Sequence, residues 1–145
     1  MIVLVDTDVL IDIALNRTPH VEASTKLLEA LENRLAKGFV AWHCLSNFYY
    51  LVAPTKGTYQ ARDYLDDLIR FIDIAPATRE SFHTACQLPM KDFEDAMQVA
   101  AAMACGADVI ATRNIRDYAR APIRVATPVV LAKELIKKTD GCDCD

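Results

Sequence analysis

Three short acidic segments hold the residues of this chain that could do chemistry. Asp6-Thr7-Asp8 follows the apolar run Ile2 to Val5 directly, and Lys91-Asp92-Phe93-Glu94-Asp95 leads into the apolar stretch Ala96 to Cys105. Thr112-Arg113-Asn114-Ile115-Arg116-Asp117-Tyr118 follows a third run, Asp108 to Ala111. A carboxylate at the end of an apolar run is costly to desolvate unless a cation or a donor compensates it. Asp92 and Asp95 are three apart and share one face of a first helical turn. They also suit capping and the helix dipole, whereas Glu94 is expected to face solvent. Three carboxylates within four residues repel one another, and a divalent cation would relieve that repulsion. Asn114 and Asp117 are oxygen donors of the hard-cation type, although Asn114 equally suits a turn. Thr112 can hydrogen-bond a carboxylate or a phosphate. Asp8 is expected to cap the helix after it.

Other chemistries lack their residues. There is no G-x-x-x-x-G-K-[ST] loop, no G-x-G-x-x-G and no nucleophile elbow. His20, His43 and His83 are scattered, and only His43 falls at an expected strand end. Five cysteines cannot all pair internally, and none form a C-x-x-C. Cys44, Cys86 and Cys105 read as buried thiols, Cys142 and Cys144 as incidental, and a reducing cytoplasm as the compartment. Met90, Met97 and Met103 read as core or packing residues.

The elements that must position the acidic segments alternate in type. Strands are expected at Ile2–Val5, Phe39–Trp42, Ile72–Ile74, Asp108–Ala111 and Arg124–Ala126. Helices are expected over Asp8–Leu15, His20–Lys37 (ended by Gly38), Leu45–Ala53 (stopped by Pro54), Thr58–Arg70 (capped by Thr58), Thr78–Cys86, Asp92–Cys105 and Pro128–Lys138. This alternation predicts an α/β fold, a mostly parallel sheet of about five short strands with helices on both faces. Such sheets place their sites at the carboxyl ends of the strands, where Asp6, the Trp42–Asn47 segment and Thr112–Asp117 fall, and the start of the Asp92 helix can join them if it packs nearby.

With 145 residues, 52% of them hydrophobic, the chain has the size of one domain and needs no disulfide or structural metal to fold. Residues 1–139 are expected to form that domain, and 140–145 an acidic, disordered tail. The start lacks a basic segment and a long apolar run, so it does not read as a signal peptide, and no stretch is apolar enough to span a membrane. Sixteen Lys and Arg against 20 Asp and Glu give a net charge of −4, which argues against indiscriminate polyanion binding. The stretch from Ile110 to Thr139 nevertheless holds seven bases and two acids, which permits a local nucleic-acid contact.

In their order and spacing these segments resemble the PIN domain family. Val3-Leu4-Val5-Asp6-Thr7-Asp8-Val9-Leu10 is similar to its opening motif. Asp92-Phe93-Glu94-Asp95-Ala96 and Thr112-Arg113-Asn114-Ile115-Arg116-Asp117-Tyr118 are similar to its third and fourth acidic motifs, in the form of one bacterial branch. The resemblance implies an α/β/α sandwich and a ribonuclease dependent on Mg²⁺ or Mn²⁺. It further implies that a small member is the toxin of a toxin–antitoxin pair, homodimeric and inhibited by an antitoxin protein. Carried over residue by residue, it makes Asp6 and Asp95 metal ligands, with Asp92 and Asp117 supporting them in catalysis. Asn47 stands where the family's second acid is usual and Asn114 where its fourth is. Asn47, Thr112 and Asn114 are therefore expected as supporting polar groups. The groove between the helices at Leu45–Ala53 and Thr58–Arg70, where Phe48, Tyr49 and Tyr50 crowd, is the expected docking surface. Two alternatives remain at this stage: a PIN-like domain that binds RNA or protein without cutting, and a haloacid-dehalogenase-like phosphatase using Asp6-x-Asp8.

Overall fold

Val3, Leu4 and Val5 are fully buried, as a continuous apolar run must be when both faces of a parallel sheet are covered. In the computed structural model, which describes residues 1–141, they form the central strand β1 (Ile2–Val5). The other strands are β2 (Lys37–Val40), β3 (Ile72–Ile74), β4 (Val109–Ala111) and β5 (Arg124–Ala126). All are parallel, in the order β3-β2-β1-β4-β5. The helices are α1 (Thr7–Ala14), α2 (Val21–Glu32), α3 (Trp42–Lys56), α4 (Thr58–Leu68), α5 (Arg79–Gln87), α6 (Phe93–Ala104) and α7 (Pro128–Asp140). A 3₁₀ turn at Ile115–Tyr118 joins β4 to β5.

The strand order dictates the layers. From β1 to β2 to β3 the chain moves one way across the sheet, and from β3 to β4 it jumps back past β1. Right-handed crossovers then put α1 to α4 on one face and α5 and α6 on the other. The packing agrees: α1 lies against α2 and α3, α2 against α7, and α6 against α5, β1 and β4. The direction reverses between β1 and β4, so a crevice opens at their carboxyl ends. Pairing continues just past those strands. The Asp6 N–H donates to the Ala111 carbonyl at 2.9 Å and the Thr112 N–H to the Ala126 carbonyl at 3.0 Å. The first and last acidic segments are thereby fixed to the sheet itself.

Several boundaries differ from the sequence expectation. The second helix ends at Glu32, not Lys37. Arg34 takes a left-handed conformation (φ 59°), and Leu35 is half-exposed beyond the buried Leu27, Leu28 and Leu31. Gly38 is therefore not a helix stop. It sits in β2, where a Cβ would approach Leu31 Cδ1 to 3.1 Å and Ile72 Cγ1 to 3.3 Å, so its value is close approach of α2 and β3. Trp42 opens α3 instead of ending a strand. Pro54 lies inside the last turn of α3, which runs on to Lys56 and stops at Gly57 (φ 97°). Gly57, not Thr58, is the residue before α4, and a side chain there is disfavoured by that φ. Thr78, Asp92 and Thr127 cap α5, α6 and α7 through their side chains. The last helix continues through Asp140 to Gly141, so the start of the expected disordered tail is helical, while Cys142 to Asp145 lie outside the described residues. Cys44 is buried, but Cys86 is exposed and Cys105 only half-buried, and Met103 is exposed. No helix among the described residues is long and apolar enough to cross a membrane.

Candidate metal centre

Six carboxylates line one open cleft at the β1–β4 reversal: Asp6, Asp8, Asp92, Glu94, Asp95 and Asp117. Asn47 and Asn114 line it too, so every expected site residue except Thr112 is on its wall. Four elements supply them. Asp6 and Asp8 stand at the start of α1, Asn47 on the second turn of α3, Asp92 to Asp95 at the start of α6, and Asn114 and Asp117 around the 3₁₀ turn.

Asp6 is the most tightly held. Its Oδ1 accepts from the Thr7 N–H at 2.7 Å and from Gln98 Nε2 at 2.8 Å, and its Oδ2 accepts from the Tyr118 hydroxyl at 2.9 Å. A carboxylate has about four lone-pair directions, so these donors aim it and leave one for a cation. Asp6 is also the N-cap of α1, the role expected of Asp8. Asp8 instead turns to the loop after β4. Its Oδ2 accepts from the Thr112 hydroxyl (3.2 Å), the Arg113 N–H (3.1 Å) and Asn114 Nδ2 (3.1 Å). Thr112 is fully buried in this contact and touches no cleft surface. Thr112 and Asn114 thus hold Asp8, and through it the loop.

Asp92 caps α6, accepting from the Asp95 N–H at 3.0 Å. Glu94 is exposed, yet it is not idle in solvent: Asn47 Nδ2 donates to its Oε1 at 2.7 Å and points it into the cleft. Sequence reasoning set Glu94 aside because helical periodicity puts it off the buried face. It could not see that Asn47, on another helix, faces it. Gln98 and Tyr118 were missed for a related reason. Gln98 sits in an apolar helix and Tyr118 at the end of a charged segment, and only the fold shows that each donates to Asp6. The signal was a Gln in an otherwise apolar helix; it is 1% exposed, and a buried amide needs a partner.

Six carboxylates share the cleft wall with one base, Arg17. No Lys or Arg forms an ion pair with any of the six carboxylates among the described residues; the one buried pair nearby joins Arg113 to Asp12 behind the site. Burial, then the neighbouring Asp6 charge, raises the Asp8 pKa to about 6. Burial, then Asp92, Asp6 and Asp117, raises that of Asp95 to about 6. Glu94 is raised by burial and by Asp92 and Asp6, against the lowering contact from Asn47. The Tyr118 phenol is pushed upward by burial and by Asp6 and Asp95, which keeps it a donor. Burial holds the His43 imidazole below its ordinary value and pushes the Cys44 thiol up to about 12, so neither is a ready nucleophile or acid.

This donor set is all oxygen and strongly anionic, as a hard divalent cation requires. Among the described residues no three His, Cys, Asp or Glu side chains are grouped so as to hold a metal ion by themselves. Mg²⁺ keeps several waters and uses one or two carboxylates plus substrate phosphate, so it does not require such a group. The chemistry of the residues present fits such an ion.

The raised acids make a signed pH prediction. A carboxylate raised to about 6 in the fold, against about 3.9 unfolded, binds protons first in the native state. It costs stability at pH 7, and the cost is relieved as pH falls through 6. In EDTA, thermal unfolding should therefore move to higher temperature between pH 7.5 and 5.5. The stabilisation by added Mn²⁺ should shrink over the same range, because the ion needs the charged forms. A steady fall in melting temperature in EDTA would contradict this account.

The expected docking groove is largely closed. Phe48 is fully buried and stacks on Tyr64, with ring centroids 4.9 Å apart, so it joins α3 to α4 instead of offering a surface. Tyr49 is half-covered, with Arg62 over its ring. Tyr50 is exposed, but with Leu51 it forms the apolar side of the acidic cleft.

A family model described as "PIN domain" matches residues 2–116. No curated protein matches the chain. In fold it is similar to VapBC2 from Rickettsia felis, solved bound to a DNA fragment from its promoter, with a TM-score of 0.69, 18% identity and coverage of 88% of this chain and 98% of that one. It is similar to the DNA-bound VapBC of Salmonella typhimurium, with a TM-score of 0.67, 17% identity and the same coverage of 88% and 98%. It is similar also to VapC20 of Mycobacterium tuberculosis, a toxin that cleaves the sarcin–ricin loop, with a TM-score of 0.59, 13% identity and coverage of 74% and 86%. At such identities the likeness is one of fold.

Proposed function

The chain belongs to the PIN domain family, and from that premise we propose that it is an endoribonuclease dependent on Mg²⁺ or Mn²⁺, the toxin of a toxin–antitoxin pair. The observation that carries the reading is the cleft of six carboxylates, none of them in an ion pair among the described residues, at the β1–β4 reversal. PIN domains are generally divalent-metal-dependent nucleases, and one structural relative is an RNA-cleaving toxin. The relatives solved as VapBC assemblies support an antitoxin protein as partner. We place the activity in the cytoplasm and the active form in a homodimer, as the family resemblance implies.

In this reading Asp6 and Asp95 hold the cation, which when bound polarises a phosphodiester and lowers the pKa of its water. Gln98, Tyr118 and the Thr7 N–H keep Asp6 aimed. Asp92 fixes the first turn of α6 and so the position of Asp95. Asp117 adds negative charge at the rim. Glu94 takes over the part of the acid that position 47 lacks. The carboxylate comes from α6, and Asn47 orients it from α3. Asp8, held by Thr112 and Asn114, supplies the charge that position 114 lacks.

The test is cleavage of a structured RNA by the purified chain with Mn²⁺, Mg²⁺ or EDTA. Cutting in the first two and none in the third is expected. Glu94→Gln should weaken Mn²⁺ binding by roughly 10–100-fold, the usual cost of losing an orienting or outer ligand. Unchanged Mn²⁺ affinity would remove Glu94 from the site. A second reading, binding without cutting, is favoured by Asn47, Asn114 and the lack, among the described residues, of three such side chains grouped to hold a metal ion by themselves. RNA binding with no metal-dependent cutting would select it. The phosphatase alternative loses its ground: the family is different, and both oxygens of Asp6 are engaged by protein donors.

A further inference from the structure

The chain is acidic overall, yet four bases stand beside its most acidic feature without partners. Arg17 lines the carboxylate cleft itself, in the turn after α1. Its backbone is pinned: the Arg17 N–H donates to the Asp12 carbonyl at 2.9 Å, and its own carbonyl accepts from the His20 and Val21 N–H groups. Lys91, Arg116 and Arg120 line a second hollow, between the start of α6 and the 3₁₀ turn. That hollow is continuous with the cleft, because Asp92, Asp95 and Asp117 line both. All four bases are exposed, and none forms an ion pair among the described residues. Cations this near to carboxylates would be expected to fold onto them if neutralising the cleft were their role.

A single-stranded RNA has the complementary pattern, one negative charge per nucleotide at regular intervals. We infer that Arg17 and the Lys91–Arg116–Arg120 hollow bind backbone phosphates of a single-stranded RNA on either side of the phosphodiester that lies over the carboxylate cleft. The inference rests on the ribonuclease reading and adds to it the path of the substrate. Arg is suited to the task because its planar fork meets two phosphate oxygens at once. Anchoring the neighbours of the target phosphate lets an anionic strand approach an anionic cleft.

The test separates binding from cutting. A labelled single-stranded RNA is titrated by fluorescence anisotropy onto the Asp95→Asn chain in EDTA, over a range of salt. Each phosphate contact on a single strand contributes about 0.7 to the log–log salt slope. Arg116→Ala with Arg120→Ala should lower that slope by about 1.4 and weaken binding at least tenfold. Arg17→Ala should lower it by about 0.7. Arg34→Ala with Arg70→Ala, at the amino-terminal end of the strands, should change neither. An unchanged slope in the first variants, an equal loss in the control pair, or no RNA binding by the parent would overturn the inference. Metal-dependent cleavage by the wild-type chain with an unchanged slope would leave the ribonuclease reading standing and this path refuted. Binding that follows the predicted slopes without cleavage would do the reverse.

Discussion

Asp95→Asn should reduce metal-dependent RNA cleavage by about 10³-fold while making the metal-free protein more stable. The loss corresponds to about 4 kcal/mol, within the several kcal/mol a metal's charge stabilisation supplies. The gain follows from the cleft. Asp95 is pushed up to about 6 by burial and by three neighbouring acids, so at pH 7 its charge opposes the fold. An amide keeps the shape and removes that charge. Asp6→Asn should lose the same activity but without the gain. All three groups facing the Asp6 carboxylate donate to it, and an amide gives up the charge-assisted strength of those bonds. Cleavage assays and melting curves in EDTA on the two variants check both halves. Full cleavage by Asp95→Asn, or equal melting shifts in the two, would refute the assignment of their roles.

Arg113→Ala should cost about 3 kcal/mol of stability, the lower part of the range for breaking a buried ion pair. Asp12 is fully buried on α1, and Arg113 is its counter-charge, reaching from the loop after β4. The pair is held by charge and contact, since neither Asp12 oxygen has an aligned hydrogen-bond donor. Removing the guanidinium leaves a carboxylate in the core with nothing to balance it. For a chain of this size the melting temperature should fall by about 6–12 °C. The double variant Asp12→Leu with Arg113→Met should recover most of it, because an apolar pair carries no desolvation cost. Chemical denaturation of the wild type and the two variants decides the matter. A single variant as stable as wild type would mean that Asp12 finds relief elsewhere.

The layout of the sheet was legible because it rests on local pattern. β-branched and apolar runs marked all five strands, and Asp6 and the Thr112–Asp117 segment fell at their carboxyl ends as the strand–helix alternation required. What the sequence hid was contact between distant segments. Glu94 and Asn47 are 47 residues apart and meet at 2.7 Å; Tyr118 and Asp6 are 112 apart and meet at 2.9 Å. Periodicity assigns a residue to a face but not to a partner, so Asp8 was expected as a cap and Glu94 as solvated. The misplaced helix ends have a local cause. Gly38 and Pro54 usually stop helices, but here one serves close packing within the sheet layer and the other sits in a last helical turn, where little remains to be broken.

The pairing of α7 with α2 has a consequence for the order of events during synthesis. The last acid of the cleft, Asp117, precedes α7, yet Leu131, Ala132 and Leu135 of that helix are buried in the main core. At about 5–20 residues per second, the stretch from Tyr118 to Asp140 takes about 1–5 s to add. Throughout that interval every cleft residue has been made, but the layer holding α1 and α2 still lacks its final helix. A growing chain thus carries all its cleft residues before α7 covers the layer that holds α1 and α2.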